Sequence, residues 1–477
     1  MTTTTTSTTS TTTTDLSSQL AAAAQSIISG ATNSTMDVNS LVQTLVAAKT
    51  VGQSTIITNK QTSDNTELSA VGQIKSALSA LDTALAGFLN STALAQMQAA
   101  VTGTGVTATT GTGAVAGTYS VAVTNVATSS TARLNPIATG TTFNADTLSI
   151  QVGSGAATSV TIKAGASLTD VASAINKANA GVSAAVITST DAAGNVNQYL
   201  TLTSTQTGSN TAISITDSGG ANAALASVQS STTGVNANVS INGIATTSAS
   251  NTLTNVLSGV TLDISGASAN STQTLTVSAN TSASANAIQS FVTAYNNYVT
   301  TAGKLSSYDS STSTAGPLLG DSMTNGITNG LASLISAGVK SGTTTYSLAS
   351  IGLNLQPDGT LSVDSTALQT ALTSKPTAVN AIFNSATGIG AKLDTFMSSY
   401  IQTSGIIDQR TNALNQDLSK LKDQATQLTD YSNQLTAQYT AQFSALNTLM
   451  AQMQNNTNYL TQLFGGKSSA GALATNK

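Results

Sequence analysis

The sequence predicts an α+β multidomain fold, in which a helical coiled-coil stalk formed by the N- and C-terminal segments carries inserted antiparallel β-rich domains. Three observations predict it. Near the start, Val71, Ile74, Leu78, Leu81, Leu85 and Phe88 step by three and four residues. Near the end, Leu414, Leu418, Leu421, Ala425 and Leu428 repeat the step, and Leu435, Leu446, Leu449 and Met453 fall in the same frame. This spacing gathers apolar side chains on one narrow stripe, the pattern of a coiled-coil seam. Between the two ladders the apolar period changes to two, as in half-buried strands. Neither stripe is covered unless the chain ends meet, so the β segments are placed as insertions at the far end of a stalk.

The elements follow in order. Residues 1–35 are a Thr/Ser-rich leader too poor in apolar side chains to offset its ordering entropy, and are expected to be disordered alone. Asp37 is the expected N-cap for a first helix carrying Val38, Leu41, Val42, Leu45 and Val46. A second helix over roughly 65–89 carries the first ladder. Alternation then marks short strands, among them Tyr119, Val121 and Val123; Leu148, Ile150 and Val152; Leu200 and Leu202; Val260, Leu262 and Ile264. One short helix interrupts them, capped by Ser167 and Asp170, with Leu168, Val171 and Ile175 as its buried stripe. After residue 282 the helical period returns with Ile288, Phe291, Val292, Tyr295 and Val299. Pro357-Asp358-Gly359 predicts a hairpin turn, and Lys375-Pro376 breaks a helix begun at Leu368. A long helix from near Gly390, broken near Gly405, ends at Phe464.

These readings divide the chain into a disordered leader (1–35), terminal helices ordered only in the assembly (36–60 and 430–464) and a helical stalk domain (61–100 and 282–429). A β-rich domain (101–138 and 235–281), a second β-rich domain inserted in it (139–234) and a tail (465–477) complete it.

Composition narrows the function. Charged residues are 7% of the 477, far below the roughly 25% of ordinary domains. A net charge of −4 with scattered basic residues argues against nucleic acid, whose binders cluster Lys and Arg. There is no Cys, His or Trp, which removes disulfides, thiol chemistry, the commonest metal ligands and the usual general base. No run of apolar residues is long enough to span a bilayer, so no membrane insertion is expected. The start lacks the basic region and apolar core of a cleaved signal peptide.

Searches for catalytic patterns end in structural readings. Gly466-Lys467-Ser468 resembles the end of a phosphate-binding loop, but Thr461 stands where its first glycine belongs. Glu67 is the single Glu, and the eighteen Asp residues are scattered, mostly at caps and turns. No enzyme activity and no cofactor are expected.

Several stretches resemble the flagellar filament cap family, also called flagellar hook-associated protein 2. They are Thr35-Met36-Asp37-Val38-Asn39-Ser40-Leu41-Val42, the helix through Leu78-Ser79-Ala80-Leu81, and Gly117-Thr118-Tyr119-Ser120-Val121-Ala122-Val123. Leu168-Thr169-Asp170-Val171 with Ala174-Ile175-Asn176 is similar to a module shared with flagellins. The densest match runs through Asp358-Gly359-Thr360-Leu361-Ser362-Val363-Asp364, Pro376, Val379 and Phe383 into the last helix. The Thr-rich leader departs from the family pattern.

The resemblance implies an extracellular assembly at the flagellum tip, beneath which flagellin polymerises. It implies a homo-oligomeric ring of about five subunits, partners in flagellin and the hook–filament junction proteins, and a dedicated export chaperone at the C-terminal end. Export without a cleaved signal peptide is implied too. Leu41, Leu45, Leu446, Leu449 and Leu460 are then the expected contacts with other molecules. Val71, Ile74, Leu78, Leu81, Leu85, Leu414, Leu418, Leu421, Leu428 and Leu435 are the expected stalk seam. The alternatives are another axial subunit of junction or filament, and an adhesin-like surface protein whose β domains bind mucin or glycans.

Overall fold

The computed structural model describes residues 37–190, 192, 194–265 and 271–464, together with positions 18, 21 and 25. The expectations for the leader and the tail lie outside the described residues, save that Ser18, Ala21 and Gln25 are helical and exposed. From residue 37 onward the described helices are α1 (Val38–Leu89), α2 (Leu168–Lys177), α3 (Thr281–Ser306), α4 (Ser322–Ala337), α5 (Ser365–Ser374), α6 (Pro376–Ile382), α7 (Ile389–Ile401) and α8 (Ile406–Phe464). The chain divides into two compact units, one made of 1–86, 290–364 and 381–477, the other of 87–289 and 365–380.

The first unit is mainly helical. α1 is one helix of 52 residues where the sequence suggests two. Ile57 and Asp64 are buried and precede Val71, Leu78 and Leu85 at steps of seven, so the inward face passes unbroken through the polar stretch. The threonines there are accommodated within the helix, Thr50, Thr62 and Thr66 donating their hydroxyls to carbonyls four residues back. Once both flanks are packed, extension costs little compared with a new nucleus.

Asp321 caps α4, its carboxylate accepting from the Thr324 N–H at 2.8 Å. Gly330 lets α4 approach α7, since a β-carbon there would lie 2.2 Å from the Phe396 ring. Phe291, Tyr295 and Tyr298 are buried, and Phe291 meets Phe383 edge-on at 6.0 Å. The hairpin Leu353–Leu355 with Leu361–Val363 forms as the turn signal requires. Asn296 clasps it, accepting from the Leu361 N–H and donating to the Leu361 carbonyl. The break before α8 sits at Ser404 and Gly405, where Ser404 is left-handed and a Gly405 β-carbon would crowd three carbonyls.

The second unit holds two apolar β bodies. In one, a five-stranded antiparallel sheet runs Met97–Thr102, Ser271–Ala279, Gly117–Asn125, Ala237–Ile241, Ile244–Ser248, beside a three-stranded sheet of Val106–Thr110, Val260–Ile264 and Thr252–Leu257. Val121, Val123, Val239, Leu253, Leu262 and Leu275 fill its core. In the other, Val182–Thr190, Val196–Thr207, Ser129–Leu134 and Val228–Thr232 form one sheet, and Ile213–Asp217, Asp146–Val152 and Thr158–Ile162 a second. α2 contributes Leu168, Val171 and Ile175 to this core, beneath a complete capping box of Ser167 and Asp170.

One boundary differs from the reading of the sequence. Ser129–Leu134 and Ile137–Ala138 pair with Val196–Thr207 and so belong to the second body, although the sequence places residues up to 138 in the first. Alternation identifies a strand but not its partner, and here the partner lies about sixty residues or more away.

Candidate assembly surface

α1 and α8 run antiparallel in the first unit, and four points fix their register. Leu41 packs with Phe443, and Val42 and Val46 with Leu435. Arg410 donates to Glu67 Oε1 at 2.7 Å, and Lys75 donates to Asp408. Arg410 also contacts Asp321 at 2.7 Å, so one guanidinium joins α1, α8 and the cap of α4. The Lys75 ammonium and the Ser404 N–H hold the Asp408 carboxyl below the usual range.

The structure buries Val71, Ile74, Leu78, Leu81 and Leu85 on α1 and Leu414, Leu421 and Leu435 on α8, with Leu418 and Leu428 half-buried. Beyond Leu435 the inward face of α8 uses Tyr439 and Phe443, and Gln442, a seam position in the heptad frame, is exposed. A straight α-helix has 3.6 residues per turn and drifts from a seven-residue repeat. Steps of four from Leu435 show this in the sequence. The reading of the sequence missed Arg410 and its pairing with Glu67; the signal that could have found them is that each precedes a ladder residue, Leu414 and Val71, by about one turn.

The expected contact residues separate into two sets. Leu41 is fully buried against Phe443 and Leu45 half-buried, so both are engaged within the chain. α1 starts at Val38, but α8 continues to Phe464. Past that point Leu446 is 40% exposed, Leu449 53%, Met453 60% and Leu460 52%. These residues lie within about a third of a turn of one another when wound at 3.6 residues per turn, so they form one open apolar stripe. Exposed leucines scattered singly are ordinary, whereas these side chains share one face of α8.

Among the described residues, no group of three or more acidic side chains is placed to hold a metal ion, and no helix is long and apolar enough to cross a membrane. A groove of about 490 Å³ lies beside α2, but Asp170 in its lining is committed to the helix cap.

The paired helices and the β bodies define a multidomain α+β structural protein. Family models agree: flagellar hook-associated protein 2 N-terminus matches 34–130, flagellar hook-associated protein 2 C-terminus 234–455, and the flagellin hook IN motif 147–206. The B-type flagellar hook-associated protein 2 of Pseudomonas aeruginosa is 31% identical, over 92% of this chain and 97% of its own length. The Escherichia coli flagellar hook-associated protein 2 is 32% identical, over 93% and 99%. A crystal structure of three domains of the E. coli flagellar cap protein FliD covers 72% of this chain and 99% of that one, with a TM-score of 0.58 at 30% identity. The chain belongs to the flagellar hook-associated protein 2 family, the flagellar cap proteins.

Proposed function

We propose that this chain caps the distal end of a bacterial flagellar filament and promotes flagellin polymerisation beneath it, through surfaces and without covalent chemistry. The observation that carries the mechanism is the apolar stripe Leu446–Leu460 on a helix that outruns its partner. In water such a stripe is unfavourable, and each leucine that another molecule covers contributes roughly 1–2 kcal/mol. It therefore supports contacts with neighbouring copies and with flagellin subunits. Leu41 and Leu45 take part by holding α8 in place.

Head-to-tail contacts that close give a ring, here of about five copies. The low charge of the chain limits repulsion between them. Junction proteins and an export chaperone at the C-terminal end complete the partners, and the lack of cysteine suits passage as an unfolded chain without a cleaved signal. The working location is extracellular, at the filament tip.

Replacing Leu446 and Leu449 with Ser tests this. The double variant should keep the helical content and unfolding profile of the parent, because both side chains are exposed, yet filament growth in cells relying on it should fall at least tenfold. Filaments of normal length from a folded variant would remove the stripe from the mechanism.

A further inference from the structure

The β body of residues 129–234 carries little positive charge. Its basic residues are Arg133, Lys163 and Lys177. Arg133 lies over the Tyr199 ring at 5.4 Å. The other two line one groove, of about 490 Å³, beside α2. Both are exposed, and neither has an ion-pair partner: the ion pairs among the described residues all belong to α1, α8 and the cap of α4. In a chain with charge on only 7% of its residues, scattered placement would rarely set two cations on one concave surface.

Local structure explains the groove. One wall is α2, whose Asp170, Ser173 and Lys177 fall on one face at spacings of three and four. The other is the chain from Thr161 to Ala166, where Gly165 takes a left-handed turn between the strand Thr158–Ile162 and the helix cap. Val171, buried in the core of the body, lends an apolar floor. The acid in the lining is occupied. Asp170 accepts from the Ser167 N–H at 2.9 Å and from the Ser167 hydroxyl at 2.7 Å. The donors left are the two ammonium groups and the hydroxyls of Thr161 and Ser173, which bond to no other group among the described residues. Two cations favour a negative group, and hydroxyls on the same surface favour a ligand with hydroxyls of its own. A groove of this volume admits a molecule of monosaccharide size.

We propose that the groove between α2 and residues 161–166 binds an acidic sugar, with its carboxylate at Lys163 and Lys177 and its hydroxyls at Thr161 and Ser173. The site does not depend on the α8 stripe or on the capping function. The sugar is either free or the end residue of an acidic polysaccharide, and both present the same carboxylate and hydroxyls.

Glucuronate and glucose make the test direct, since they differ only in a carboxylate for a hydroxymethyl group. Titrated into the isotope-labelled full chain, glucuronate should shift the amide signals of Gly165 and Ser173 to saturation, and glucose should bind at least tenfold more weakly. Lys163→Gln with Lys177→Gln should weaken glucuronate at least tenfold, while the signals of the strand Val196–Thr207 stay in place and report an intact fold. Lys304→Gln with Lys340→Gln changes the net charge equally at exposed positions outside the groove, and should leave the affinity unchanged. Equal affinity for the two sugars, or equal weakening in the two double variants, would overturn the proposal. Acetate, which carries the carboxylate alone, should bind at least fivefold more weakly than glucuronate; equal binding would leave a bare anion site and remove the sugar. A hyaluronan tetrasaccharide with glucuronate at its non-reducing end separates the two sources: tighter binding than glucuronate assigns the polysaccharide, weaker binding the free acid. All these readouts use the isolated chain, so their outcome is independent of the filament-growth experiment on Leu446 and Leu449.

Discussion

Asp82 shows how one side chain sets a local balance. It lies on α1 between the buried Leu81 and Leu85, and its carboxyl meets Asp394 of α7. Partial burial, then the neighbouring carboxylate, raises its pKa above the ordinary 3.8. A carboxyl raised in the folded chain holds its proton more tightly there, so folding loses stability as pH climbs from the unfolded value through the folded one. The loss is complete at neutral pH and disappears in acid. Asp82→Asn should therefore raise the unfolding midpoint at pH 7, by under ~1 kcal/mol given solvent screening. The gain should shrink as pH falls toward 3.8, and denaturant melts at several pH values measure it. A gain independent of pH would assign the effect to packing and not to the paired acids.

At the scale of elements, the α1–α8 pair depends on Arg410. Its guanidinium serves Glu67 and the nearly buried Asp321, and Asp321 also caps α4. Removing the cation leaves two acids facing each other in partial shelter. Arg410→Ala should cost about 1–3 kcal/mol in thermal unfolding, and Arg410→Lys should recover only part, since one ammonium cannot span both carboxylates. A neutral Arg410→Ala would show that the apolar seam alone holds the pair. Much of this pair was legible beforehand, because leucine spacing reports directly which face of a helix is covered. The continuity of α1 was not, since Ile57 and Asp64 are isolated inward residues in a polar run. Nor was the partner of Ser129–Leu134, because strand periodicity carries no information about pairing over long distances. Leu446 and Leu449 were legible as apolar, but their exposure depends on where α1 begins, which the α8 sequence does not contain.

For the molecule as a whole, the β body spanning 129–234 enters and leaves the chain through neighbouring backbone. The Thr128 N–H donates to the Val235 carbonyl at 3.0 Å, and the Val235 N–H donates to the Thr128 hydroxyl at 3.2 Å. Gly234 fits there because a β-carbon would stand 2.3 Å from the Thr128 carbonyl. Three residues after Val235, Asn238 faces Asn125 in the ladder that continues into the five-stranded sheet. The body is thus an insertion with paired ends and its own apolar core. Replacing 129–234 with Asn-Gly, a pair suited to a tight hairpin, should leave the core of Val121, Val239 and Leu275 folded. Hydrogen exchange in the strand Gly117–Asn125 reads this out. If assembly resides in the α8 stripe, the shortened chain still supports filament growth, at no less than about a third of the parental length. A folded chain that supports none would transfer the assembly function to the inserted body, and with it the case for a β surface that binds other molecules.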